Sequence, residues 1–137
     1  MAIVEQLIRS ESNGTLSFGN YRLSEKAKVE DFPFEGSSYK VKTFSGITKL
    51  EKDGMFAYES VPGTSVNGFA ADENGVEFLV SGKEDVQLTV GLSEDETYTV
   101  FVNGEKVGDM KTNMSGKLSL SVELSEGKSV EVKVVRK

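Results

Sequence analysis

The chain of 137 residues contains no cysteine, no histidine and no tryptophan, and only two prolines and three arginines. Each absence excludes a class of chemistry. Without cysteine there is no disulfide framework, no zinc ribbon and no thiol nucleophile. Without histidine there is no Ser-His-Asp triad, no imidazole base and no ordinary zinc site. Arg9, Arg22 and Arg136 are the whole arginine supply, so a clustered basic surface for nucleic acid is not expected. No run approaches the ~20 apolar residues of a membrane helix. The first residues, Met1-Ala2-Ile3-Val4-Glu5-Gln6, lack the basic and apolar regions of a secretory signal. A cytoplasmic protein with no membrane and no nucleic-acid partner is therefore expected, and no cofactor.

What is present is acid, glycine and alternation. The net charge of −6 is uneven: residues 1–60 carry −1, residues 61–96 carry −7 and residues 97–137 carry +2. Five of the 14 glycines fall in turn pairs with Asn or Asp. Asn13-Gly14, Asn67-Gly68, Asn74-Gly75, Asn103-Gly104 and Asp53-Gly54 suit tight hairpins, because both residues accept positive φ. Asn67-Gly68 lies inside a strand pattern and is equally readable as a bulge.

Between the turns the period is two. Val76, Phe78 and Val80 share one face. So do Val86, Leu88, Val90 and Leu92; Tyr98, Val100 and Val102; Leu118, Leu120, Val122 and Leu124; and Val130, Val132 and Val134. Each series alternates with polar residues, the signature of a sheet with one wet face. The expected fold is all-β and antiparallel, with two small packed modules. Residues 1–60 form an N-terminal hairpin module and residues 61–137 an Ig-like β-sandwich; one continuous sandwich over 1–137 is the alternative. In the first module, strands are expected over Ile3 to Arg9, Thr15 to Leu23 and Lys26 to Phe32, with a stop at Pro33. A short helical turn is allowed around Ser24 to Ala27, and Pro62-Gly63 is the expected joint.

The run from Thr97 to Asp109, followed by Thr112, Gly116 and the strand Lys117 to Leu124, resembles the last part of bacterial Ig-like accessory domains of carbohydrate-active enzymes. The whole chain is similar to a family of short uncharacterised proteins from anaerobic Gram-positive bacteria, some automatically labelled endosialidase. The segments carrying that similarity are Ser17 to Tyr21, Lys26 to Asp31, Lys40 to Phe44, Ile47 to Leu50 and Tyr58 to Gly63. The label implies a sialidase-type site, which needs a propeller, an arginine cluster and a tyrosine nucleophile. Neither the chain length nor the three arginines supply it, so no catalytic residue is carried over.

Acid-base chemistry is left with Glu30-Asp31, Glu84-Asp85 and Glu94-Asp95-Glu96. Neighbours on a strand point to opposite faces, so these read as solvated turns. Asp72, Glu73 and Asn74 together with Glu94 to Glu96 are the only oxygen-rich loops that suit calcium. Pro62-Gly63-Thr64-Ser65 and Ser115-Gly116-Lys117 precede no helix and are turns, not phosphate cradles. Phe44 and Phe101 share faces with Lys40 and Lys42, and with Thr97 and Thr99; both are candidates for a sugar platform or an interface. Phe32-Pro33-Phe34 reads as a core plug. Lys40, Lys42, Lys49 and Lys52 are expected to guard sheet edges. The segment Ile3-Val4-Glu5-Gln6-Leu7-Ile8 carries no such guard, and Ile3, Val4, Leu7 and Ile8 are candidate residues for strand addition. The expectation is a non-enzymatic structural or protein-interaction protein. It forms homo-oligomers or binds another protein, with a carbohydrate-binding module as the runner-up.

Overall fold

The computed structural model describes residues 3–137. These residues contain thirteen strands and no helix. In chain order they are β1 (Ile8–Ser10), β2 (Leu16–Phe18), β3 (Ala27–Phe34), β4 (Ser37–Phe44), β5 (Ile47–Lys52), β6 (Met55–Val61) and β7 (Ser65–Asp72). Then follow β8 (Gly75–Ser81), β9 (Val86–Gly91), β10 (Thr97–Val102), β11 (Glu105–Lys111), β12 (Lys117–Val122) and β13 (Ser129–Arg136). All pairings are antiparallel. One sheet has the order β1-β2-β7-β8-β13-β10-β11, the other β12-β9-β6-β5-β4-β3. Among the described residues no helix is long and apolar enough to cross a membrane.

Alternation and turn chemistry explain these elements. In β12 the exposed Lys117, Ser119 and Ser121 alternate with buried Leu118, Leu120 and Val122. In β8, β9, β10 and β13 the inward valines, leucines, Phe78 and Tyr98 are likewise buried, except that Val102 at the end of β10 is half-buried. Asp53-Gly54 and Asn103-Gly104 have positive φ at both residues, 51° and 80°, and 52° and 82°, as two-residue hairpins require. Glu35-Gly36 adopts the same pair of angles, 50° and 83°, and joins β3 to β4. Asn67-Gly68 is a bulge: the β7–β8 register shifts between Asn67 and Ala70, and Gly68 takes φ 67°.

Both sheets take strands from either side of Val61. β2 pairs with β7 and β6 with β9. Their inner faces share one core, centred on Phe18, Tyr58, Phe69 and Phe78. Tyr58 meets Phe18 and Phe78 edge-on, with ring centroids 5.3 and 5.5 Å apart, so the two sheets interlock through aromatic side chains. The β6–β7 crossing runs through Pro62-Gly63. A side chain at Gly63 would collide with the Phe44 carbonyl, which is why the joint needs glycine there.

Several local expectations differ from the structure. Residues 3–7 are not a strand. Leu7 takes φ 75° and its N–H bonds back to the Val4 carbonyl at 2.9 Å, so extension begins only at Ile8. β3 runs through Pro33 to Phe34, because an edge strand has a side on which no N–H is needed. Residues 24–27 contain a bend and the start of β3, not a helical turn. Lys40, Lys42, Lys49 and Lys52 lie on β4 and β5, which are interior to their sheet, so they do not guard edges. Two of the four edge strands, β1 and β3, are protected differently. β1 is three residues long, and β3 carries a register shift between Val29 and Phe32 together with Pro33.

Candidate functional site

One end of the sandwich is open. There the β3–β4, β5–β6 and β7–β8 turns and the β9–β10 loop surround a cleft of about 560 Å³ between the sheets. Its base is apolar: Leu16 and Phe69 from one sheet, Phe34, Tyr39 and Ala57 from the other. Ala70 and Ala71 form one wall; Ala71, in register with the buried Val76, is the one on the inner face, and its small side chain leaves width between the sheets. Glu35, Asp53, Asp72, Glu73 and Lys52 line the cleft, Lys52 in register with Tyr39, and Arg136 lies close enough to Glu73 to feel its charge. The acidity of the middle of the chain thus meets carboxylates from the N-terminal half at one place.

Tyr39 is the polar feature of this cleft. It is 8% exposed, and its ring meets Phe34 edge-on at 5.9 Å between centroids. Among the described residues, no fully buried side-chain polar atom lacks a hydrogen bond. The Tyr39 oxygen has no such partner and is therefore the part of the side chain that opens into the cleft. Burial, reinforced by the Asp53 and Glu35 carboxylates, holds its pKa above the usual phenol value. Asp53 is fixed by the Ser38 N–H at 2.9 Å; that bond, with the Ser37 hydroxyl, holds its carboxyl below the usual range. Glu35 reaches toward the opposite sheet, and a Cβ placed on Gly14 would lie 3.8 Å from its carboxylate.

The second concentration of polar groups lies at the other end and is sealed. Thr43, Thr48, Tyr58, Ser60 and Thr64 have no exposed surface. The Thr48 hydroxyl donates to the Thr64 carbonyl at 2.8 Å and accepts from the Thr64 N–H at 3.1 Å. With that proton committed, Thr43 is the donor in the 2.8 Å Thr43–Thr48 contact, while Thr43 accepts from the Asn20 N–H at 2.9 Å. Thr64 Oγ1 bonds Tyr58 Oη and Ser60 Oγ, both at 2.8 Å. Burial pushes the Tyr58 hydroxyl up to about 12. This cluster ties the β6–β7 crossing to β4 and β5, with no charged group acting on it and no route for a substrate.

The residues singled out from sequence are dispersed. Val4 is fully buried and Ile8 is 3% exposed; Leu7 packs against the core and Ile3 is half-buried beside Tyr21 and Glu126. Phe44 ends β4 at the sealed end, with the Lys26 ammonium 6.0 Å from its ring centre. Phe101 is half-buried on the outer face of β10, in register with Lys133 on one side and Lys106 on the other. None of the six lines the open cleft.

The paired carboxylates are engaged separately. Glu30 meets Lys28 and Lys40 at 3.4 and 3.6 Å, and Asp85 accepts from the Leu124 N–H at 3.0 Å. The loops around Glu73 and Glu96 do approach each other, but Arg136 lies between them. Its pKa is raised first by Tyr98 and then by Glu96 and Glu73, and its Nη2 donates to Ser93 Oγ at 2.9 Å. Among the described residues no group of three acidic side chains is arranged to hold a metal ion. Sequence reasoning missed Glu35 and Tyr39. Gly36 between two strand patterns was the available signal for the first; Tyr39 is indistinguishable from a core tyrosine until the sheets are assembled. Comparison with family models, characterised proteins and solved structures finds no match for this chain.

Proposed function

We propose that this is a non-catalytic β-sandwich interaction protein that receives a partner segment in the open end of the sandwich rather than along a sheet edge. The observation that carries the reading is the cleft itself: about 560 Å³ between the sheets, with Leu16, Phe34, Phe69 and the largely buried ring of Tyr39 lining it. The size of the cleft and its mix of apolar floor and few polar groups fit a ligand site. The Ig-like reading of residues 61–137, the similarity to short uncharacterised proteins from anaerobic Gram-positive bacteria and the cytoplasmic location belong to this proposal. So does the absence of a catalytic role, which is supported by the sequence's lack of histidine and cysteine.

Selection of displayed random peptides on the protein tests the reading. Ala71→Trp fills the cleft from its wall and leaves the edges and outer faces unchanged. Selected peptides are expected to lose at least tenfold in affinity on this variant; equal binding to both proteins overturns the cleft as the site. A carbohydrate-binding reading is favoured by one feature, the outward half-buried ring of Phe101 between two lysines. Glycan-array binding abolished by Phe101→Ala would establish it in place of the cleft.

A further inference from the structure

The lysines of β4 and β5 guard no edge, and their register gives them another use. Lys42 stands directly opposite Lys28 of β3 and directly opposite Lys49 of β5. The three share the outer face, since Val41, Thr43, Thr48 and Leu50 are buried on the inner one. Strand spacing puts their backbones ~4.8 Å apart, and like charges facing each other across strands destabilise a sheet. The same strands avoid this in the neighbouring row. There Lys40 lies between Glu30, at 3.6 Å, and Glu51, its partner in register. Lys28 and Lys49 each reach a carboxylate of that row, Glu30 at 3.4 Å and Glu51 at 3.6 Å. Lys42, between them, forms no ion pair among the described residues.

Beside the lysine row, toward the sealed end, runs an apolar one. Phe44 is in register with Ile47. Val61 follows Ser60 as Ile47 precedes its pair Thr48, so the row continues onto β6. Phe44 and Ile47 are half-buried, and Val61 is 53% exposed. The two rows lie two residues apart along each strand, ~7 Å. An exposed apolar stripe rimmed by charge is a feature of interaction surfaces.

Sign and spacing define the occupant. Cations in a line are complemented by repeated carboxylates, and the apolar row by an apolar stripe beside them. On a helix, residues four apart are ~5–6 Å from one another, close to the strand spacing. A helix laid across the strands therefore sets successive carboxylates over the lysine row and its apolar stripe over Phe44, Ile47 and Val61. We infer that the outer face of β3 to β6 binds an acidic amphipathic helix of a partner protein, with Lys42 at the centre of the contact. This surface is separate from the open cleft and does not depend on it. A second copy offers no helix among its described residues, and the net charge of −6 opposes approach to an anionic membrane. A sugar chain lacks a platform, because the Phe44 ring lies against Gly46 and carries the Lys26 ammonium over it.

The probes are a helical peptide with glutamates at every fourth position beside a leucine stripe, its glutamine version, and a scrambled peptide of the same composition. Affinities are read from backbone amide shifts of the full chain. At low salt the glutamate peptide is expected to bind at least fivefold more tightly than either control, an advantage that shrinks at high salt. Lys42→Glu should abolish the advantage and raise the melting temperature, because Lys28 and Lys49 then face a carboxylate instead of an ammonium. Ala71→Trp should leave the binding unchanged; loss of binding on that variant places the peptide in the cleft and overturns this face as the site. Equal binding of the glutamine peptide overturns the charge inference, and equal binding of the scrambled peptide overturns the helical occupant. A melting temperature of Lys42→Glu equal to or below that of the parent overturns the claim that the lysines repel. Tighter binding of heparin or of phosphatidylserine vesicles than of the glutamate peptide overturns the assignment to a partner protein. No response to any probe at millimolar concentration overturns the site and leaves the cleft reading to its own test.

Discussion

Replacing Thr64 by valine keeps the shape of the side chain and removes one hydroxyl. That hydroxyl is the common partner of Tyr58 Oη and Ser60 Oγ, each at 2.8 Å, and all three residues have no exposed surface. Water cannot replace it, so two polar groups are left stranded. Each costs ~1–3 kcal/mol, against a gain of about 0.8 kcal/mol for the added methyl. The net expectation is a loss of ~1–5 kcal/mol. With a urea dependence of ~2 kcal/mol per molar, the unfolding midpoint falls by about 0.5–2.5 M. Tyr58→Phe alone should cost only ~1 kcal/mol, because Thr64 keeps Ser60. The triple variant Tyr58→Phe, Ser60→Ala, Thr64→Val should be less destabilised than its singles summed, since no hydroxyl is stranded. A loss below ~0.5 kcal/mol for Thr64→Val, or strict additivity in the triple variant, would refute the reasoning that this cluster acts as one satisfied unit.

The N-terminal segment should behave as core. Val4→Ala, at a fully buried position, is expected to lose ~1.5–2.5 kcal/mol in denaturant unfolding, whereas a free docking strand would tolerate it within ~0.5 kcal/mol. Acid should weaken the β1–β2 corner. Ser17 and then Arg9 hold the Glu11 carboxyl below its ordinary value, with the Ser17 Oγ–Glu11 Oε2 bond at 2.5 Å. A carboxyl with a lowered folded pKa stabilises above its unfolded pKa, and that stability is lost as pH falls through the folded value. Glu11→Gln should therefore flatten the fall in melting temperature below about pH 4.5; an unchanged slope would contradict the assignment. Arg136→Met should loosen the β9–β10 loop, seen as faster amide exchange at Ser93 to Glu96, because Glu73 and Glu96 then face each other without the cation between them.

Period two made the inward faces of β8, β9, β10, β12 and β13 legible, because each has one dry and one wet side. The same pattern says nothing of which strand lies beside which. That β2 would lie against β7 and β6 against β9 depends on the whole sheet closing over Tyr58 and Phe69. Leu7 was misread as part of a strand because a leucine at positive φ leaves no trace in sequence; only the burial of Val4 and Ile8 forces the turn. The lysines of β4 and β5 resembled edge guards because alternate lysines mark any wet strand face, central or not. The cleft was hidden for a related reason. Glu35, Asp53 and Asp72 come from three separate hairpins, and Tyr39 shares its face with Val41, so only the assembled end shows that they line one cleft.

The central claim is that the open end of the sandwich, with Tyr39 at its base, is where a partner docks. It is tested most directly by mapping amide shifts on the full chain with a selected peptide at saturation. The account predicts that the largest shifts fall on Ser37 to Tyr39, Met55 to Ala57 and Ala70 to Glu73. Shifts concentrated instead along β1 or β11, or around Phe101 on the outer face, with the cleft residues unmoved, would contradict it.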